Sequence, residues 1–139
     1  MTPVDRARQL MGAPFIHLGR NASGIDCIGL LAYAHDYPME KIPVYPRDPL
    51  NDQLVNGLDH VLGSPIRLCP HGCRPGVLRP GDIVAIAFAR YTRHVALVAQ
   101  HPVYADLLSM IHTDSTIGRV VEHTLDEKWL RRIRRVYRP

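Results

Sequence analysis

Pro80-Gly81-Asp82-Ile83-Val84-Ala85-Ile86-Ala87-Phe88-Ala89, followed closely by Arg93-His94-Val95-Ala96-Leu97-Val98-Ala99-Gln100, is where the chain changes from helical to extended patterning. A Pro-Gly turn opens the first run, and both runs are short, β-rich and bounded by turn-forming or charged residues, which predicts strands over 82–89 and 93–100. Ser109–Thr113, Ile117–His123 and Arg132–Tyr137 read the same way, so the second half of the chain is expected to form a small antiparallel sheet. Upstream the period is that of a helix. Val4, Ala7, Leu10 and Met11 share a stripe that Gly12 and Pro14 stop. A second stripe, Cys27, Leu30, Leu31 and Ala34, starts near Asp26 or Cys27 and closes around Asp36 or Tyr37, because the residue before Pro38 is pushed out of helical geometry. Phe15 to Gly24 reads as loop, and residues 38 to 80 hold most of the prolines, so they read as irregular chain interrupted by one short helix at about Asn51–Leu62. Helices first and strands afterwards predict an α+β fold, the N-terminal helices packed on one face of the sheet.

The 139 residues suffice for a single domain over 1–139 with one active site. With 46% hydrophobic and 22% charged residues the chain is not of disordered composition, and no apolar run approaches the roughly 18 residues of a membrane span, so no membrane insertion is expected. Asp5, Arg6 and Arg8 stand where a secretory signal would be apolar, so the chain is expected to be made and to fold in the cytoplasm. The net charge of +4 gathers near the end, in Lys128, Arg131, Arg132, Arg134, Arg135 and Arg138. Leu130, Ile133 and Val136 interleave with these cations, as on an element with one solvated face, and no aromatic platform for bases accompanies them, so no nucleic-acid partner is expected.

Three cysteines, an odd number, make no disulfide framework. Cys27 opens a helix behind a Gly-rich segment, where free backbone N–H groups and the helix dipole favour a thiolate, and Asp26 can turn back to cap the same helix. A thiol nucleophile needs a base and the base an orienting partner. Alternation puts His94, Ala96 and Val98 on one sheet face, and Met110 and His112 on one face of the next run. A helix end packed on that face would bring Cys27 to His94, with His112 fixing the tautomer and Asp114 or His123 as fallback orienting residues. Cys69 and Cys73, with His60 nearby, lack zinc-knuckle spacing and read as a pair that could bridge or as an exposed loop. Cys27, His94 and His112 suit zinc by type, but the thiol chemistry needs them unligated, so no metal and no other cofactor is expected.

The blocks Pro14-Phe15-Ile16-His17-Leu18-Gly19, Gly24-Ile25-Asp26-Cys27-Ile28-Gly29-Leu30, Leu78-Arg79-Pro80-Gly81-Asp82-Ile83-Val84, Arg93-His94-Val95-Ala96-Leu97-Val98 and Met110-Ile111-His112, in this order over essentially the whole chain, resemble the NlpC/P60 cysteine peptidases and, more narrowly, their phage-tail branch. The resemblance implies a papain-like fold with Cys27 as nucleophile, His94 as general base and His112 as orienting member. It further implies Phe15, His17 and Asp26 beside the substrate, although His17 could equally cap a turn. The implied substrate is the stem peptide of bacterial peptidoglycan, commonly cut at the γ-D-glutamyl bond to a diamino acid, and the implied partners are other tail-tip or baseplate proteins of a virion or phage-like particle. Phe15 stands where the family often has Tyr, so stabilisation of the oxyanion would rest on backbone N–H groups. A tail-tip plug or assembly adaptor that keeps the fold with little turnover is the alternative. The 18 positions from His94 to His112 imply an extended hairpin loop around His101–Leu108.

Overall fold

The computed structural model describes residues 1–139. Its elements are α1 (Pro3–Arg8), a two-strand ribbon β1 (Arg20–Asn21) and β2 (Gly24–Ile25), α2 (Cys27–Ala34), α3 (Gln53–Leu62), β3 (Arg67–Leu68), β4 (Ile83–Phe88), β5 (Tyr91–Gln100), β6 (Leu108–His112), β7 (Val121–Thr124), α4 (Glu127–Leu130) and β8 (Ile133–Tyr137). Strands β3 to β8 form one antiparallel sheet in the order β3-β8-β4-β5-β6-β7, so the C-terminal strand lies inside the sheet.

Each early helix carries its own start signal. Thr2 and Asp5 form a reciprocal capping box on α1, with Pro3 in its first turn, and the Asp26 carboxylate caps α2 by accepting from the Gly29 N–H at 2.8 Å. The α1 and α2 stripes, with Leu58 of α3, bury against Ile83, Ala85, Val95, Leu97, Ala99 and Ile111 on one sheet face. On α3, Asp59 accepts from Tyr137 Oη at 2.6 Å and Arg135 Nη1 at 2.8 Å, which ties that helix to β8.

The N-terminal helices pack on one face of the sheet as expected, and the other face is covered as well: Val84, Ile86, Ala96, Val98, Met110 and Val136 bury against Leu130 of α4, Leu78 and Cys69. Three sequence expectations are corrected. α4 and β3 carry too few residues to show a period, β3 lying in the proline-rich stretch read as irregular. β7 begins at Val121 rather than Ile117, because Asp114 Oδ1 accepts from the Ile117 N–H and a turn runs through Gly118. Finally, α2 packs on the Val95 and Leu97 face, whereas His94 alternates with Ala96 and Val98 onto the opposite one. The hairpin loop between β5 and β6 is present, its backbone carbonyls at Tyr104, Ala105 and Leu107 tied by Gln100 Nε2. Arg131, Arg135 and Arg138 of the basic tail pair with Glu127, Asp59 and Asp82.

Gly29 shows why α2 can sit where it does. A Cβ there would lie 2.6 Å from the Gly19 carbonyl oxygen and 2.9 Å from Ile25 Cγ1. Gly29→Ala is therefore expected to destabilise the fold by about 1–3 kcal/mol, the usual cost of overpacking, despite alanine's better helix propensity. Urea unfolding measures this, and an unchanged midpoint would contradict the close approach.

Candidate active site

Cys27 and His94 both line a cleft of about 140 Å3. They reach it although His94 belongs to the sheet face away from α2: the cleft lies at the end of the strands, where Ile86 pairs with His94 but Ala87 with Thr92 and the ladder bulges. Phe15 and His17 line the same cleft, with Phe88, Asp114 and a strap from the proline-rich segment, Tyr45 to Pro49.

Asp26 is 2% exposed and its carboxylate is fully engaged. It accepts from the Leu18 N–H at 2.8 Å, the Gly29 N–H at 2.8 Å, Arg20 Nη1 at 2.9 Å and the Tyr45 hydroxyl. This buried anion is a scaffold for the helix end rather than a surface open to substrate. His17 is half-buried, 3.9 Å from Asp26 and edge-on to the Tyr45 ring, so it sits at the cleft rather than capping a turn.

His94 and His112 are brought together. His94 Nε2 lies 2.7 Å from His112 Nδ1, His112 Nε2 lies 2.7 Å from His123 Nε2, and His123 Nδ1 lies 3.0 Å from the Thr124 carbonyl oxygen. With neutral rings the hydrogens follow from the far end. A carbonyl only accepts, so His123 donates from Nδ1 and accepts at Nε2. His112 must then donate from Nε2 and accept at Nδ1, which requires His94 to donate from Nε2. The lone pair of His94 is left on Nδ1, which has no hydrogen-bond partner within the protein. His123 is thus the next link in the relay beyond His112. Phe88 stacks on His94 with ring centroids 5.4 Å apart, and Trp129 lies edge-on to His112 at 5.2 Å.

Electrostatics keep the resting pair neutral. Burial, and then the Asp26 carboxylate, push the Cys27 thiol up to about 12, against backbone N–H groups of Val95, Ile28 and Cys27 that favour the thiolate. The thiolate expected from the helix position alone is overridden by these two costs. Burial lowers His94 to about 4, and burial with the neighbouring imidazoles lowers His112 to about 3. The arrangement can deprotonate a thiol as it attacks, with the proton passing to a nearby lone pair.

His94, His112 and Asp114 place one donor atom each within 4.8 Å of one another, a set of zinc-like chemistry. Both His112 nitrogens are already hydrogen-bonded, so an ion there would have to break the relay. Cys69 is buried and Cys73 half-buried; both thiols are free, the Cys73 thiol donates to the Arg74 carbonyl oxygen at 3.7 Å, and His60 does not join them. Sequence reasoning missed Tyr45, Arg93 and Thr113 at the cleft. Tyr45 sits in a stretch whose prolines signal only irregular chain, and the bulge that displaces Arg93 has no sequence signature here.

No protein-family model matches the chain, and no curated protein sequence does. Solved structures do match in fold. The NlpC/P60 domain of the peptidoglycan hydrolase SagA superposes with a TM-score of 0.60 at 16% identity, covering 99% of this chain and 97% of that one. An NlpC/P60 family protein from Bacillus cereus gives 0.62 at 17% identity over 98% of this chain, and the peptidoglycan hydrolase RipB from Mycobacterium tuberculosis gives 0.57 at 19% over 98%. The chain spans 38% of the length of the Bacillus cereus protein and 62% of RipB. The fold is the papain-like α+β fold of NlpC/P60 domains.

Buried neutral histidines make stability pH-dependent in a definite direction. Below their ordinary value of 6.5 the unfolded chain takes up protons that His94 and His112 refuse until about 4 and about 3. Their contribution is therefore complete above 6.5 and falls as the pH drops through that window, by up to about 1.4 kcal/mol per pH unit per ring. Denaturant unfolding at pH 7 and pH 5 should show the loss, and His112→Asn should show a smaller one. Equal stability at both pH values would mean the rings are not held neutral.

Proposed function

We propose that the protein is a cysteine peptidase acting on the stem peptide of bacterial peptidoglycan, with Cys27 as nucleophile, His94 as general base and His112 as the residue that positions His94. The observation that carries this reading is the relay from Thr124 through His123 and His112, which leaves the His94 lone pair on the nitrogen without a protein partner, in the cleft that also holds Cys27. The wall substrate is supported by two fold neighbours being peptidoglycan hydrolases and by the ordered sequence blocks described above.

In the proposed reaction His94 Nδ1 takes the thiol proton as Cys27 Sγ attacks the amide carbon. The backbone N–H groups at the start of α2 stabilise the oxyanion. The tetrahedral species collapses to a thioester as the amine leaves with the proton from His94, and water, activated by the same imidazole, hydrolyses the thioester and restores the thiol. A neutral starting pair suits this sequence, since the ion pair forms only with attack. The phage-tail character of the sequence blocks leads us further to propose that the enzyme works at the tip of a phage or phage-like tail, opening the wall locally, with tail-tip and baseplate proteins as neighbours.

Cys27→Ala should abolish release of peptide fragments from purified peptidoglycan while leaving the melting temperature close to that of the wild type. His112→Ala, which frees the His94 ring to take the wrong tautomer, should lower kcat by about 10²–10⁴-fold with less effect on KM. Mass analysis of the released fragments identifies the bond. Undiminished release by Cys27→Ala would remove the nucleophile assignment, and a folded wild type that releases nothing would favour the plug.

A further inference from the structure

Trp129, the only tryptophan in the chain, stands over the far half of the imidazole relay. Its ring is edge-on to His112, with centroids 5.2 Å apart and planes at 73°, and lies against His123 at 5.5 Å with a tilt of 39°. Phe88, stacked on His94 at 5.4 Å, meets Trp129 edge-on at 6.0 Å. The Arg132 guanidinium lies over both rings, 5.6 Å from the Trp129 centroid and 5.8 Å from that of Phe88, and so holds the two against each other. Three imidazoles are thus packed under two aromatic rings and one cation.

Hydrogen bonds alone do not fix such a relay. A bond from one ring nitrogen to the next sets their distance and direction but leaves each ring free to turn about the line that joins them, and edge-to-face packing removes that freedom. For His112 and His123 the ring that does so is Trp129. His123 depends on it most, being half-buried on β7, the last strand of the sheet, with no strand beyond it. The chain places Trp129 here through α4. Asp126 caps that helix by accepting from the Trp129 N–H at 3.1 Å, while the adjacent Leu130 buries in the core of the second sheet face. His123 stands opposite Met110 of the same core, so the docking of α4 on that face is what brings a ring to the histidines.

Resting on the peptidase reading of the same histidines, we infer that Trp129 is a positioning residue: it locks the His112 and His123 rings so that the relay runs one way and the His94 lone pair stays on Nδ1. Without the indole, water reaches His123 Nε2 and competes with His112 for it, and a His123 that turns over presents a donor where His112 also donates. The direction of the series is then no longer decided from the Thr124 carbonyl. Trp129 does not line the cleft that holds Cys27, so it acts on the reaction only through the rings it packs against.

Nitrogen NMR of protein labelled in its histidine rings tests this, together with the kinetics of peptidoglycan digestion. The wild type should show one tautomer at each of His94, His112 and His123, with His94 unprotonated at Nδ1. Trp129→Leu should show mixed tautomers at His112 and His123. It should also lower kcat by about 10–100-fold, the usual cost of freeing a ring from the group that orients it, with KM within about 3-fold of the wild type. Trp129→Phe, which keeps a ring over the pair, should retain the single tautomers and most of kcat. Trp129→Met supplies bulk without a ring and serves if the leucine variant does not fold. Single wild-type tautomers in Trp129→Leu, an unchanged kcat there, or equal losses in the leucine and phenylalanine variants would overturn the assignment. Turnover by the wild type is measured separately. Tautomers that depend on Trp129 in a protein without turnover remove the peptidase reading and keep the positioning; turnover with tautomers indifferent to Trp129 does the opposite.

Discussion

One buried carboxylate organises the region on which the rest depends. Asp26 accepts from two backbone N–H groups, one guanidinium and one phenol, and these donors come from four separate places: the loop at Leu18, the ribbon at Arg20, the first turn of α2 at Gly29 and the strap at Tyr45. A helix cap alone contributes about 1 kcal/mol. Here the same oxygens also fix where the loop enters and where the strap lies, and removing the acceptor would take away the partner of the Leu18 and Gly29 N–H groups and of the Tyr45 hydroxyl at once. The strap gains most from this anchor. Beneath it, between α2 and α3, is a largely apolar cavity of about 550 Å3, so packing from below does little to hold it. Tyr45, with Arg20 donating to its hydroxyl at 2.9 Å and lying over its ring, does.

The same carboxylate acts on the neighbouring sulfur in the opposite sense to the helix end. Backbone N–H groups draw the thiol towards ionisation, while burial and the Asp26 charge hold the proton on. The histidines are tuned the same way, towards the uncharged form, by their burial among Phe88 and Trp129 and by one another. The thiol and the two imidazoles thus carry no charge at rest, although Asp26, Asp48, Arg93 and Asp114 line the same cleft.

Much of this was legible in the residue pattern, for identifiable reasons. The periodicities of α1 and α2, the capping role of Asp26, the β4–β5 and β8 strands and the pairing of His94 with His112 all come from local spacing, which the sheet preserves. The Phe15-to-Gly24 loop and the long β5–β6 connection were also readable. What was hidden depends on contacts distant in sequence. The covering of the second sheet face by α4, the insertion of β3 beside β8, and the docking of α2 on the face opposite His94 are decisions of tertiary packing. Tyr45 lies 19 residues beyond the Asp26 it serves, in chain whose prolines advertise only the lack of regular structure. The helix terminus alone favours a thiolate at Cys27, whereas the burial and the Asp26 charge that keep the proton on the sulfur are set by packing.

The imidazole series ends on a main-chain oxygen, that of Thr124, rather than on a carboxylate side chain. A carboxylate can be deleted by a single codon change; a peptide oxygen cannot, since every residue placed at 124 brings one. The end of the series therefore depends on the alignment of β7 against β6, in which His123 stands opposite Met110, and an insertion or deletion that slips that alignment by one residue would turn His123 to the other face and break the series, where a replacement at 124 would not.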